Sequence, residues 1–426
     1  MAGNSTAQRS ADGETARRAG AKWAILGISV GASVAAVLTA ATSGLAAFYA
    51  RQIVVPVGAT EELEILHVSG FDDEMTVLLP ADDETTVNGV YSLWFDEGRG
   101  HARIGNVIEY DPTSRTVLRE VLGVDSGDLR AARIGRWNGT YYRNPQALQV
   151  PSEDVVLHTD AGDLPAWYIP GDPSAVAAED AEATEKTWAI LIHGRGGTRA
   201  EGLRAVPTLR AAGISSLSIS YRNDPEARSG SSSRYGLGDT EWLDVDDAIE
   251  FAISRGAERV VLFGWSMGGA IAFQAAARGR YKDRISGMVL DAPVVDWFSV
   301  LDEQARINRL PTPIARLALE MISQPWARWI TGLETPLDLN RMDWVTRAAE
   351  LRVPVLLIHS DDDDFVPSGP SHRLATVRSD LVTMPRYDKA RHTKEWNVDA
   401  ERWSDDVRSF LQKIVVSDRE GSASVR

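Results

Sequence analysis

The sequence predicts an α/β fold, a mostly parallel sheet flanked by helices, preceded by a small β-rich domain and an N-terminal transmembrane helix. Three observations predict it. Strand-length, largely apolar runs at Trp188–Ile192, Ser215–Ser220, Val260–Phe263, Met288–Leu290 and Val353–Ile358 alternate with helical spacing at Glu201–Ala212, Thr240–Arg255 and Gly269–Arg278. Strands without a polar face, separated by helices, belong in a sheet covered on both sides. Shorter runs of alternating polarity crowd residues 60–150, and no charge interrupts Trp23 to Ala50.

The uncharged stretch 23–50 exceeds the roughly 20 residues that span a bilayer as a helix. Arg17, Arg18 and Lys22 precede it, whereas Arg51 is soon followed by Glu61, Glu62 and Glu64. The positive-inside bias therefore puts residues 1–22, a polar tail expected to be disordered, in the cytoplasm. It puts everything beyond residue 51 outside, tethered to a membrane through residues 23–50. The other reading is a cleaved signal peptide with Ala and Thr near 39–41 for a peptidase, although its apolar core would be shorter, about 7–15 residues.

In the β-rich domain, Glu64–Val68, Thr76–Leu79 and Tyr91–Phe95 read as short strands. Asn88-Gly89 and Asn138-Gly139 have the composition of tight hairpin turns. The third region covers residues 152–415. Asp154–His158 and Leu164–Ile169 suggest a hairpin, the acidic stretch Gly171–Thr187 a surface loop, and Gly369–Ser379 and Asp399–Val415 helices. About residues 294–350, rich in Trp and Leu, exceed what the sheet needs and predict a helical cap over the site. One or two of its aromatics are expected to line an apolar pocket. Residues 416–426 read as a disordered tail.

The chain carries 60 acidic against 45 basic side chains, a formal charge of −15, which argues against nucleic acid as a partner. The lack of cysteine excludes disulfides, thiolate catalysis and Cys-ligated metal. No metal or organic cofactor is expected. Asp361 to Asp364 could hold calcium, but no glycine-punctuated ligand loop surrounds them.

Gly264-Trp265-Ser266-Met267-Gly268 lies between an apolar strand and a helix-favouring run. That context makes the pentapeptide a nucleophile elbow, with Ser266 on a strained turn at a helix N-terminus. After the strand Ala189–Ile192 comes His193-Gly194-Arg195-Gly196-Gly197, which is neither a dinucleotide-binding fingerprint nor a phosphate loop. After Val353–Ile358 comes His359-Ser360-Asp361-Asp362-Asp363-Asp364-Phe365-Val366-Pro367.

These three motifs resemble the α/β-hydrolase superfamily over residues 152–415. The segment at 359–367 is similar to that family's His-Gly-x-x-Asp-x-x-Val-Pro, with Ser360 where glycine is usual, and it implies Asp363 as the catalytic acid. Asp361 is the other candidate. The family's chain order of Ser, acid, then His implies His392 as the base, on the loop before the last helix. The resemblance also implies an oxyanion hole made by the N–H groups of Met267 and Arg195. The Arg195 side chain is left to pair with an acidic substrate or with Glu201. The implied activity is hydrolysis of a carboxylic ester, thioester or amide of a small molecule through an acyl-enzyme. The alternatives are an envelope acyltransferase that passes the acyl group to an alcohol or sugar, or a non-catalytic surface module that keeps the hydrolase fold. Neither the substrate nor the oligomeric state is readable.

Overall fold

The computed structural model describes residues 42–423, apart from 57, 72–73 and 228–233. Residues 42–54 form the first helix, α1. Strands β1 (Leu63–Glu64), β2 (His67–Ser69), β3 (Thr76–Pro80), β4 (Tyr91–Phe95), β5 (Gly100–Asp111), β6 (Thr116–Ser126) and β7 (Ile134–Asn138) follow. They make one antiparallel sheet in the order β1-β7-β4-β5-β6-β3-β2. Alternate side chains such as Val77, Leu79, Leu93, Phe95, Ile104 and Val117 turn to one face and form a core of their own.

Arg119 is buried inside this domain. Its guanidinium donates to the carbonyls of Thr85, Val87, Gly89 and Gly105, which satisfies a charge that burial would otherwise penalise. It also lies 5.0 Å from the Trp137 ring centre. One side chain thereby fixes both the 85–89 loop and Trp137.

The hairpin β8 (Glu153–Thr159) and β9 (Gly162–Ile169) opens the second unit. The expected loop at 171–187 contains helix α2 (Ala178–Glu185), which its alanines and glutamates favour. Then come β10 (Thr187–Ile192), α3 (Val206–Ala211), β11 (Ser215–Ile219), α4 (Trp242–Ser254), β12 (Arg259–Trp265), α5 (Met267–Arg278) and β13 (Ile285–Asp291). Helices α6 (Trp297–Ile307), α7 (Thr312–Ser323) and α8 (Arg328–Thr331) occupy the expected cap segment. The chain returns through β14 (Val355–Ser360), α9 (Gly369–Val377), β15 (Val382–Thr383), β16 (Arg386–Tyr387), α10 (Glu395–Val398) and α11 (Ala400–Ala423). The sheet order is β15-β14-β13-β12-β10-β11-β9-β8, with β16 beside β14. All pairs from β10 onward are parallel, and β9 runs antiparallel to β11. Ile192 sits opposite Gly264, and Asp291 opposite both Trp265 and Ile358. The loops after β10, β12 and β14 therefore emerge side by side at the C-terminal edge of the sheet, where ligand sites form in such folds.

Three expectations change. Residues 23–41 of the proposed transmembrane helix lie outside the described residues, and no described helix is long and apolar enough to cross a membrane. Residues 42–50 belong to α1, whose Ala46, Ala50 and Val54 are fully buried against the second unit, while Leu45 and Phe48 are exposed. The tail expected from residue 416 is instead helical backbone of α11 as far as Ala423. The two Asn-Gly steps are not hairpin turns, since β3 does not pair with β4 and Asn138 ends β7. Their glycines serve close approach. A Cβ on Gly89 would stand 2.2 Å from the Asn397 carbonyl oxygen, and one on Gly139 would stand 3.0 Å from Asn397 Oδ1.

Asn397 is the keystone of contact between the two units. Its side-chain amide donates to the carbonyls of Val90 and Gly139, its Oδ1 accepts from Arg204, and its backbone carbonyl accepts from Val90 N–H. Lys394 pairs with Glu84 at 2.8 Å, and Trp396 packs on Tyr141 and Tyr142.

Candidate active site

Ser266 connects β12 to α5 with φ +53° and ψ −116°, a left-handed conformation that costs about 1–3 kcal/mol for a residue with a side chain. Its surroundings hold it there. Ser266 N–H donates to Asp291 O, and its carbonyl accepts from Gly269 and Val294. The flanking glycines are obligatory. A Cβ on Gly264 would lie 2.6 Å from Gly268 backbone, and one on Gly268 would lie 2.1 Å from the Ile192 carbonyl oxygen.

The Ser266 hydroxyl and His392 Nε2 are 2.8 Å apart, as are His392 Nδ1 and Asp363 Oδ2. Asp363 accepts at Oδ1 from the Phe365 and Val366 N–H groups. An ionised carboxylate only accepts, so Nδ1 of the imidazole carries the proton and Nε2 is free to receive one from Ser266. Burial pushes the Asp363 carboxyl up, but His392 and His359 outweigh it and hold it far below the usual carboxylate range.

Of the four aspartates, only Asp363 meets the imidazole. Asp361 pairs with His372 at 2.7 Å in a half-exposed position, and Asp362 faces Arg391. Asp364 lines the cavity at Ser266. Sequence reasoning did not foresee the role of His359. Its Nε2 lies 3.2 Å from Asp363 Oδ2, and its Nδ1 lies 2.8 Å from the Ser371 hydroxyl. The buried end of β14 thus holds Asp363 at Oδ2, the same oxygen that His392 meets.

The loop after β10 lies against Ser266, so close that a Cβ on Gly194 would be 3.1 Å from Ser266 Cβ. Gly194 N–H donates to Glu201, Gly196 N–H to the Tyr235 hydroxyl, and Gly197 N–H to Gly194 O. The N–H groups of Arg195 and Met267 have no protein acceptor among the described residues. His193 is buried beneath this loop. Its Nε2 donates to Asp224 and its Nδ1 lies 2.8 Å from Gly194 O. Burial disfavours the imidazolium, yet Asp224 prevails and raises the pKa. The Arg195 guanidinium does not meet Glu201. It donates to the carbonyls of Gln52 and Val55, at the C-terminal end of α1, where a cation complements the helix dipole.

Behind the site lies a pair of buried carboxyl groups. Glu395 accepts from Ser360 N–H, and Asp291 accepts from the Trp403 indole. Their remaining oxygens, Glu395 Oε2 and Asp291 Oδ1, have no donor. Two buried carboxylates in contact hold a proton between them, and burial followed by the neighbouring Asp291 drives the Glu395 carboxyl well up. An acid whose folded pKa is raised contributes stability below its unfolded value near 4.3 and loses it as pH rises through the folded value. Glu395→Gln keeps an acceptor for Ser360 and gains a donor for Asp291. Its melting temperature is therefore expected to fall less than that of wild type as pH rises above about 4.3. Parallel falls in the two proteins would rule out the shared proton.

A cavity of about 400 Å³ opens above Ser266 and His392. No residue of the cap segment lines it. Its outer wall is Glu84 and Trp137 to Thr140, from the antiparallel domain. The aromatics of α6–α8 pack elsewhere, and Trp326 and Trp329 are exposed. The cleft at Ser266 is thus not the expected apolar pocket under the cap but one of mixed polar and apolar lining between the two units. The sequence signal was present in the glycines that dock the wall, but it read as hairpin chemistry.

Residues 64–138 match a domain of unknown function, and residues 189–406 match the Alpha/beta hydrolase family. The chain is 25% identical over 290 residues to an uncharacterised protein of Mycobacterium tuberculosis, found in two strains, with 64% of this chain and 86% of that protein covered. Similar solved structures include an esterase of Pyrococcus furiosus, at 20% identity and TM-score 0.47, covering 64% of this chain and 95% of that one. A putative aryl esterase of Burkholderia cenocepacia is 20% identical with TM-score 0.42, covering 62% of this chain and all (100%) of that one. With the family match spanning half of its length, from β10 into α11, the chain belongs to the alpha/beta hydrolase family.

Proposed function

We propose that this protein is a serine hydrolase that cleaves small carboxylic esters. The observation that carries the reading is the unbroken line of contacts from Ser266 through His392 to Asp363, at 2.8 Å for each step. His392 Nε2 takes the Ser266 proton as Oγ attacks the ester carbonyl carbon. The negative charge on the carbonyl oxygen is received by the Met267 and Arg195 N–H groups; one such donor is typically worth about 2.7–4 kcal/mol in the transition state. The C–O bond to the alcohol breaks and His392 returns the proton to the departing oxygen. A water, deprotonated by His392, then splits the Ser266 ester, releasing the carboxylic acid and restoring the enzyme. Asp363 keeps the imidazole in the required tautomer and stabilises its cation.

A fluorophosphonate probe tests this directly. Mass spectrometry of the labelled protein is expected to find the phosphonyl group on the peptide containing Ser266. Labelling spread over several serines, or none, would sink the reading.

A further inference from the structure

We propose that the antiparallel domain is the substrate-selecting half of the site, and that it selects esters of short acids with hydroxylated alcohols. This rests on the hydrolase reading above and deepens it. The cleft is shared by the two units: the reacting groups come from one, and the facing wall, Glu84 with Trp137 to Thr140, from the other.

That wall is built to hold position. Arg119 clamps the 85–89 loop through three carbonyls, ties it to the Gly105 carbonyl of β5, and stands beside Trp137. Glu84 is held by Lys394, two residues from His392, at 2.8 Å. Asn397 fastens Val90 and Gly139 to the segment that follows the base. The wall and the imidazole loop therefore keep one fixed spacing.

Its chemistry is that of hydroxyl recognition. Glu84, Asn138, Thr140, Asp364 and Lys394 put carboxylates, an amide, a hydroxyl and an ammonium around the opening, and only Trp137 and Phe365 offer broad apolar surface. Each buried methylene of an acyl chain gains about 0.8 kcal/mol only if it leaves water for an apolar surface. Here a long chain would desolvate charged groups without compensating them. A polyol alcohol instead exchanges water hydrogen bonds for protein ones. A site that hydrogen-bonds a substrate hydroxyl discriminates strongly against analogues without it.

The test is a panel of glycerol monoacetate, propyl acetate and glycerol monooctanoate on the full chain, beside Thr140→Phe and Glu84→Gln. Thermal melting checks that each variant is folded. In wild type, kcat/KM is expected to be at least tenfold higher for glycerol monoacetate than for either other ester. Thr140→Phe, which puts a ring into the cleft, is expected to reduce that preference at least fivefold, and Glu84→Gln is expected to reduce it in the same direction. A wild-type preference for the octanoate or propyl ester, with Ser266 still labelled by fluorophosphonate, would overturn the substrate class alone. Folded variants with an unchanged preference would overturn the role of the wall. Failure of Ser266 to label would remove this proposal together with the hydrolase reading.

Discussion

Ser266→Ala is expected to lower kcat for any ester the protein cleaves by about 10⁵–10⁶-fold, and Asp363→Asn by about 10⁴-fold. Asp361→Asn should stay within about a factor of two to three of wild type, as a partly exposed substitution outside the relay does. The reasons differ for each residue. In the proposed mechanism Ser266 supplies the oxygen that becomes acylated, and no other hydroxyl lies within hydrogen-bond reach of His392 Nε2 among the described residues. Asp363 forms no bond to substrate. An amide at that position can present its N–H₂ to Nδ1, which moves the imidazole proton to Nε2 and blocks uptake from Ser266. Asp361 is occupied by His372 and meets none of Ser266, His392 and Asp363. Steady-state kinetics on the three variants decides among the aspartates. Near-wild-type activity in Asp363→Asn, with loss in Asp361→Asn, would reverse the assignment.

Gly268→Ala is expected to cost at least about 3 kcal/mol of stability, because the new methyl meets backbone and cannot be relieved by a rotamer change. The carbonyl oxygens of Ile192 and His193 would lie 2.1 and 2.8 Å from it. For a folding unit of this size that corresponds to a fall in melting temperature of roughly 6–12 °C. The two carbonyls belong to the strand end that leads into the oxyanion loop. Relief by backbone movement would therefore displace Arg195 N–H from Ser266, and fluorophosphonate labelling should slow as well. A folded, fully reactive variant with an unchanged melting temperature would show that the elbow can open without loss.

Much of the catalytic half was legible in the sequence because its signals are local. Apolar runs betray buried parallel strands, and Gly264 and Gly268 mark a turn that side chains cannot enter. The resemblance of residues 359–367 to the family's segment implied Asp363, and Asp363 is the one of the four aspartates that meets His392. The antiparallel domain was legible as strands, yet its part in the cleft was not. Glu84 and Lys394 are 310 positions apart, and no periodicity links them. Gly89 and Gly139 looked like hairpin glycines because a tight turn and a close approach to another backbone both call for the same missing Cβ. The packing of the end of the apolar N-terminal stretch was hidden for a similar reason. Alanines that pack on protein, such as Ala46 and Ala50, have the same hydropathy as alanines that face lipid. His359 was set aside as a base on chain order, and order says nothing of a residue that braces the acid.

Helix α1 packs into the core of the catalytic unit, yet it precedes the antiparallel domain in the chain. The antiparallel domain is therefore an insert, with both of its ends anchored in one body. A module tethered twice does not need the affinity of a free partner. Its effective concentration at the cleft is set by the linkers and reaches the millimolar range for short ones. Asn397, the Lys394–Glu84 and Arg391–Asp83 pairs and two tyrosines on Trp396 then keep the wall in place. The same arrangement frees the wall to vary its residues without having to preserve a tight-binding interface. Selectivity can drift in one module while the relay in the other is left untouched.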